Sequence, residues 1–140
     1  DSLYFEATGG GVTFGGGEPL LYADFFPEFR TLCGSKWKLY AETSLCVPEK
    51  NVRIAAQAMD GFIVDIKDTE PDIYRAYTGQ DGSTALNNLR LLVTLVDPAK
   101  IRVRLPLIPG YNTEENRNSS EAILREMGIT DIDKFDYIIR

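Results

Sequence analysis

Histidine is missing from all 140 residues, and its absence excludes several kinds of enzyme site at once. Ser-His-Asp and Cys-His nucleophilic catalysis both need an imidazole, and so do histidine proton shuttles and His-ligated zinc sites. The chain therefore supports none of these chemistries with its own side chains.

Cysteine is scarce as well, since only Cys33 and Cys46 are present. Their spacing matches neither a zinc site nor an iron–sulfur site. Cys33 lies in an apolar run with helical spacing, which predicts a buried free thiol. The low cysteine content fits a reducing compartment, so we expect a cytoplasmic location.

The sequence also lacks long apolar runs and an excess of basic residues. No run reaches the roughly 18 residues of a membrane span, so we expect no membrane contact. The net charge of −6 disfavours nucleic-acid partners. With 44% hydrophobic residues, residues 1–140 can form a single domain with a packed core. Because the chain begins at Asp1 rather than Met, we expect a fragment truncated at its N-terminus and at its C-terminus.

Regularly spaced apolar segments predict alternating strands and helices. We predict residues 1–8 to be the end of a helix or a lead-in loop, and the apolar residues 62–64 to be covered on both faces. Parallel βα repeats follow from this pattern, and they leave two architectures open: a doubly wound sheet and a barrel or part-barrel. The predicted strands are 11–14, 38–42, 61–66, 100–108 and 135–139, and the predicted helices are 22–32, 49–59, 68–78, 84–95 and 113–127.

Polar residues collect where the predicted strands end. The first strand runs into three glycines, Glu18 and Pro19, and a side-chain-free backbone lets a ligand approach main-chain groups. Glu42 and Asp65 follow at the next two strand ends. Since the carboxyl ends of parallel strands form the ligand site of such folds, these groups should line one mouth. Mixed charge there suits a zwitterion.

Each of these features also has a plain structural explanation. The glycines could form only a tight turn, and Glu42 could sit in a solvated loop. Asp65 and Lys67 could form an ion pair with each other. Arg102 could be a surface charge, whereas Arg104 alternates into an apolar strand and is harder to explain in this way.

The stretch GGGVTFGGGEPL at residues 9–20 resembles the GGGVTFSGGEPL motif of the enzymes that activate glycyl radical enzymes, a radical S-adenosylmethionine family. The resemblance continues along the chain in the segments Glu42-Thr43-Ser44, Val64-Asp65-Ile66-Lys67, Tyr77-Thr78-Gly79, Asn88-Leu89 and residues 104–110. It implies an α/β fold whose parallel βα repeats form a partial TIM-type barrel. About five strands would be present here, with the first βα unit missing.

The resemblance also implies a cofactor site. The glycine motif would meet the methionyl ammonium of S-adenosylmethionine through its backbone, and the Asp-x-Lys motif would lie at the methionyl end. The Glu-Thr pair matches a position where some members hold a monovalent cation, near Glu42 and Asp65, and the arginine would reach toward cofactor and substrate peptide. The implied cofactor-binding residues are Gly16, Gly17, Glu18, Pro19, Glu42, Thr43, Asp65, Lys67 and Arg104.

Two departures from the family pattern qualify this expectation. Gly15 stands where the family usually has serine, and the CxxxCxxC motif that ligates a 4Fe–4S cluster is absent. The cluster is therefore expected in the parent protein and not in this chain, which contains no catalytic residue and alone is predicted to be inactive. A degenerate homologue without catalytic function is the alternative.

The implied function is to generate a glycyl radical on a partner such as pyruvate formate-lyase, with S-adenosylmethionine, the cluster and an electron from flavodoxin or ferredoxin. Activases of glycerol dehydratase, benzylsuccinate synthase and anaerobic ribonucleotide reductase compete with this interpretation. So do a non-catalytic S-adenosylmethionine-binding module and an unrelated small α/β binding protein, which non-convergence of Gly16, Gly17 and Asp65 would favour. Without a first βα unit, residues 11–14 would be an exposed sheet edge, which predicts self-association.

Overall fold

A computed structural model of the chain describes residues 4–8, 10–34 and 36–137. One sheet contains six strands: β1 (Tyr4–Thr8), β2 (Gly11–Gly15), β3 (Lys38–Thr43), β4 (Gly61–Asp65), β5 (Ile101–Leu107) and β6 (Asp131–Asp136). The α-helices are α1 (Phe26–Cys33), α2 (Glu49–Ala58), α3 (Pro71–Thr78), α4 (Gly82–Leu95) and α5 (Glu114–Glu126). Short 3₁₀ helices span Pro19–Phe25 and Pro98–Lys100.

The strand order decides between the two architectures. The strands lie in the sheet in chain order from β1 to β6, and β2 to β6 are all parallel. A doubly wound sheet reverses its strand order at a switch point, whereas a β/α barrel adds each strand beside the previous one. The prediction of parallel βα repeats in a partial barrel is thus confirmed.

The start of the sheet differs from the prediction. Residues 4–8 form neither a helix end nor a loop but the strand β1, which pairs antiparallel with β2 from Tyr4 opposite Gly15 to Thr8 opposite Gly11. Residues 1–3 lie outside the described part of the chain. Because β1 covers β2, the edge at residues 11–14 is occupied, and the expectation that this edge is exposed is wrong. Self-association of the chain stays a prediction.

The last strand also begins earlier than predicted. β6 starts at Asp131 rather than at residue 135, and residues 138 and 139 lie outside the described part of the chain. Because β6 begins with Asp131 and Asp133, a pattern of hydrophobic residues does not predict a strand at its start. In the structure Asp131 and Asp133 lie opposite Arg102 and Arg104 of β5, so the charges are paired across the strands.

The two faces of the sheet differ in burial and polarity. The helices cover one face, whose side chains form the core together with Leu20, Leu89 and Leu124: Val12, Phe14, Leu39, Ala41, Phe62, Val64, Ile101, Val103 and Leu105. The other face carries the half-buried Thr13, Glu42, Ile63, Asp65 and Arg104. Coverage of residues 62–64 on both faces is therefore wrong for the described structure, because Ile63 lies on the open face.

The predicted helix 22–32 is two helices. A 3₁₀ helix ends at Phe25 and α1 begins at Phe26, with Pro27 in its first turn, where a proline is tolerated because it has no N–H to donate. Phe26 and Phe29 of α1 pack on Phe14 of β2, with ring centroids 5.2 Å apart in both pairs.

The other helices start and end within three residues of their predicted bounds. None of the helices in the described ranges has both the length and the apolar character needed to cross a bilayer.

Arg30 and Asp60 lock α1 to the amino ends of β3 and β4. The Arg30 guanidinium donates to the Ala58 carbonyl at 2.7 and 3.0 Å and to the Asp60 carboxylate at 2.5 Å. The Leu39 amide donates to the same carboxylate at 2.8 Å. Partial burial alone would raise the pKa of Asp60, but the Leu39 hydrogen bond and the Arg30 charge outweigh it and lower that pKa.

This arrangement makes the stability of the fold pH-dependent. Because the folded-state pKa of Asp60 is lowered, its contribution is present above the unfolded value of about 4 and is lost as the pH falls through the folded value. Asp60→Asn should lower the free energy of unfolding by about 1–2 kcal/mol at pH 7, and the deficit should shrink as the pH falls below the unfolded value of about 4. Urea titrations across this pH range measure it. The exposed Asp24→Asn is the control, and an equal loss in both variants would contradict the assignment.

Candidate functional site

The glycines after β2 leave backbone exposed at the carboxyl edge of the sheet. Gly16 has φ +90°, a conformation that side chains strongly disfavour. Gly16 and Gly17 border a cavity of about 260 Å³, and its other walls come from the ends of β3 and β4. The full lining is Gly16, Gly17, Glu18, Glu42, Thr43, Ser44 and Asp65. Gly16, Gly17 and Asp65 thus converge on one mouth, which argues against an unrelated binding protein.

Glu18 belongs to the scaffold of this cavity. Its carboxylate accepts hydrogen bonds from the Leu20 amide at 3.1 Å and from the Thr43 hydroxyl at 2.7 Å. The other oxygen accepts from the Ser44 amide at 2.8 Å and the Ser44 hydroxyl at 2.7 Å. All four donors come from the segments that follow β2 and end β3. What this part of the motif offers a ligand is its backbone.

Thr43 and Pro19 support the cavity from the covered side of the sheet. Thr43 is buried, and its hydroxyl both donates to Glu18 and accepts from the Leu45 amide at 2.9 Å. Pro19 is buried at the start of the 3₁₀ helix. Neither side chain presents a free polar group to the cavity.

Glu42 and Asp65 supply the negative charge of the cavity. They lie on neighbouring strands, since Glu42 pairs with Ile63 in the register and Asp65 follows two residues later on the same face. Glu42 is half-buried and, among the described residues, makes neither a hydrogen bond nor an ion pair. A carboxylate of this kind, directed at a small polar cavity, favours a cationic ligand group.

Arg104 lies beside the same cavity on β5. Its guanidinium lies 3.7 Å from Asp65 and 3.7 Å from Asp133, and it stacks over the Phe135 ring with 4.5 Å to the centroid. Both ion pairs are long and 38% of the side chain is exposed, so the guanidinium keeps donors for a ligand.

Lys67 does not join the cavity wall. Its ammonium lies 2.5 Å from the Tyr137 hydroxyl and 5.2 Å from the centre of that ring. The ion pair between Asp65 and Lys67 that the spacing allowed is replaced by the pair between Asp65 and Arg104. Arg104 is therefore the basic side of the mouth, and Glu42 and Asp65 are its acidic side.

The structure contains an aromatic cluster beside Lys67 that the sequence analysis does not predict. The Tyr77 ring contacts Tyr111 at 4.9 Å and Tyr137 at 6.0 Å, and Phe135 contacts Tyr137 at 5.3 Å. These residues come from α3, the loop after β5 and the end of β6. Tyr77 and Tyr111 each lie close to a glycine of a segment that resembles the family, Tyr77-Thr78-Gly79 and residues 104–110. That position could have marked them as candidates, but their contact is visible only in the fold.

A buried polar network holds the loop that carries Lys67. The Asn112 side chain donates to the Asp68 carboxylate at 3.0 Å and to the Pro106 carbonyl at 3.2 Å, and it accepts from the Ile108 amide at 2.7 Å. Ser120 of α5 accepts from the Thr69 amide at 3.0 Å. Burial of Asp68, Asn112 and Ser120 fixes the chain after β4 against β5 and α5.

The two cysteines do not form an iron–sulfur site. Cys33, expected to be buried, is half-buried on α1, and Cys46 lies after β3 with its sulfur 3.3 Å from the Tyr74 hydroxyl. No group of three or more histidine, cysteine, aspartate or glutamate side chains with metal-binding geometry occurs within the described ranges. The described residues therefore do not supply the ligands of a 4Fe–4S cluster.

Tyr74 is a buried tyrosine with a raised pKa. It is buried below the cavity, and burial first, then its hydrogen bond with Cys46 and the nearby carboxylates, raise its pKa far above the ordinary value of 10. Its phenol stays neutral over the working range of most proteins.

Comparison with known proteins agrees with this geometry. The family model of the Radical SAM superfamily matches residues 3–123. The chain belongs to the Radical SAM superfamily. It is 36% identical over 131 residues to a (2S)-3-sulfopropanediol dehydratase activating enzyme of Klebsiella oxytoca, covering 91% of this chain and 41% of that protein.

Further similarities cover only part of longer proteins. A pyruvate formate-lyase 2-activating enzyme of Escherichia coli (strain K12) is 32% identical over 94% of this chain and 45% of its own length. The solved structure of native anSMEcpe with bound AdoMet superposes with a TM-score of 0.68 at 16% identity, over 94% of this chain and 39% of that one. The chain thus spans less than half of these proteins, and the resemblance to activating enzymes is confirmed.

The scaffold role of Glu18 can be tested against that of Glu42. Glu18→Gln places an amide among four donors that now share a carboxylate, so the free energy of unfolding should fall by about 2–3 kcal/mol. Glu42→Gln is the matched control and should change it by less than about 0.5 kcal/mol, because Glu42 has no partner among the described residues. Urea unfolding followed by circular dichroism measures both. Similar losses in the two variants would show that Glu18 is not the scaffold.

Proposed function

We propose that this chain is the S-adenosylmethionine-binding part of an activating enzyme that generates a glycyl radical on a partner enzyme. The observation that carries the proposal is the cavity at the carboxyl edge, where glycine backbone meets two carboxylates in a Radical SAM chain. The activating enzymes among its relatives support the activity.

The residues present fit the methionyl end of S-adenosylmethionine. The backbone at Gly16 and Gly17, with Glu42 and Asp65, would hold the ammonium group, and the basic side of the mouth would hold the carboxylate. The buried residues around Glu18 keep the wall in place. When bound, S-adenosylmethionine would supply a 5′-deoxyadenosyl radical for hydrogen abstraction from a glycine, with one electron from the cluster of the parent protein and release of methionine. This chain orients it and needs no general base, which agrees with the absence of histidine.

Several finer expectations are part of the proposal. A 4Fe–4S cluster in the parent protein would accept an electron from flavodoxin or ferredoxin, and a monovalent cation would sit near Glu42 and Asp65. The partner would be a glycyl radical enzyme of the pyruvate formate-lyase type, although the relatives are named for different partners. A cytoplasmic location stays a prediction, as does a single domain over residues 1–140 that is a fragment of a longer chain.

Binding of S-adenosylmethionine tests the proposal directly. Saturation-transfer NMR and calorimetry on the purified chain should show binding that free methionine competes, because both carry the same zwitterion. Asp65→Asn and Glu42→Gln should each weaken binding about tenfold or more, since each removes one charge from the ammonium site. Asp131→Asn, at the opposite end of the strands, should leave the affinity unchanged. Equal affinity for S-adenosylmethionine in all variants would contradict the proposed site.

A second candidate function is a non-catalytic S-adenosylmethionine-binding module, which the absence of a CxxxCxxC motif from these 140 residues favours. Both candidates predict that the chain alone is inactive. Anaerobic reconstitution with iron and sulfide should leave it without a stable cluster and without reductive cleavage of S-adenosylmethionine. Recovery of about four irons per chain together with cleavage would overturn that prediction. Fusion to a CxxxCxxC segment then separates the candidates, because only an activase part should gain cleavage.

A further inference from the structure

The segment that follows β3 contains a strained residue. Leu45 has φ +62°, the one non-glycine residue with positive φ in the described ranges, and its side chain is fully buried in the core. Such a backbone conformation persists only where the surroundings impose it. The strain lies directly next to Glu42, Thr43 and Ser44, which form one wall of the cavity.

Two groups hold this segment from opposite sides. On the cavity side Glu18 binds the Ser44 amide and hydroxyl, as described above. On the helix side Asn88 of α4 donates through its side-chain nitrogen to the Leu45 carbonyl at 2.7 Å and to the Val47 carbonyl at 2.9 Å. Asn88 is 6% exposed and lies 43 residues from Leu45 along the chain.

Removing the Asn88 donors would strand both carbonyls in the protein interior. A buried carbonyl without a donor costs the free energy of its lost hydration, and the turn would relax toward a conformation with negative φ at Leu45. That relaxation moves the peptide units between Thr43 and Cys46, and with them the wall that Glu18 shares.

We propose that Asn88 is a positioning residue for the ligand cavity. It keeps the turn after β3 in its strained conformation, and that turn fixes the position of the cavity wall formed by Glu42, Thr43 and Ser44. The part of this proposal that concerns ligand affinity rests on the proposed binding of S-adenosylmethionine; the part that concerns the turn does not.

Asn88→Asp is the central test, because it keeps the shape of the side chain and replaces the donor with an acceptor. Asn87→Asp is the matched control, since the neighbouring Asn87 is exposed on the same helix and the charge change is identical. Hydrogen exchange measured by NMR should be at least about tenfold faster at the Ser44, Leu45 and Cys46 amides in Asn88→Asp. Amides of β5 should exchange at rates that follow the global stability alone. Unchanged exchange at the turn would overturn the proposal.

Affinity for S-adenosylmethionine gives the second readout. Asn88→Asp should weaken binding about tenfold or more, whereas Asn87→Asp should leave it unchanged. The core variant Leu124→Ala on α5 serves as a control for general destabilisation, and it should retain affinity at a temperature where both proteins are folded. An equal loss in Leu124→Ala would show a merely structural role. If Asn88→Asp does not fold, Asn88→Ala undergoes the same measurements.

The two readouts fail separately. If the wild-type chain binds no S-adenosylmethionine while Asn88→Asp accelerates exchange at the turn, the proposed function fails and the positioning of the turn stands. If wild type binds and Asn88→Asp binds equally well, the positioning role fails and the proposed function stands.

Discussion

The candidate site depends on one carboxylate that bonds to two strand ends. Glu18 follows the glycines of β2, and its oxygens accept from Thr43 and Ser44 at the end of β3. Parallel strands are joined by ladders along their length, but nothing in the ladder fixes the loops beyond them. The Glu18 bonds supply this constraint, so the exposed glycine backbone and the β3 wall keep a constant separation.

The same constraint explains how a loop region can be rigid enough to bind a small ligand. The turn after β3 is held by Glu18 on one side and by Asn88 on the other, and Cys46 adds a contact to the buried Tyr74. A Cβ added at Gly82 would lie 2.7 Å from the Tyr74 ring, so the glycine lets α4 approach closely enough for Asn88 to reach the turn. The close packing at the start of α4 thus helps to position Asn88, which holds the turn that forms one wall of the cavity.

Local patterns predicted strands β2 to β5, the glycines and both cavity carboxylates, because burial on one face and polar strand ends are properties of short segments. The remaining features depend on contacts across the fold. β6 was misplaced because the charges of Asp131 and Asp133 are compensated by arginines 29 residues earlier, on β5. The Asn88 side chain reaches a carbonyl 43 residues away. The spacing of Asp65 and Lys67 allowed an ion pair between them, but spacing does not decide the partner, which for Lys67 is Tyr137, 70 residues away.

The ion pair between Asp65 and Arg104 places a negative and a positive charge side by side at the mouth. At 3.7 Å the pair is loose, and it joins the acidic side of the mouth, which also contains Glu42, to its basic side, which is Arg104. A zwitterion would place its ammonium at Asp65 and its carboxylate at Arg104, so each charge exchanges a weak internal partner for a ligand partner. Glu42 adds a second carboxylate on the ammonium side, and Arg104 keeps Asp133 at 3.7 Å as a further partner on the other side. The mouth therefore offers an acidic and a basic group side by side, which is the arrangement that a zwitterionic ligand requires.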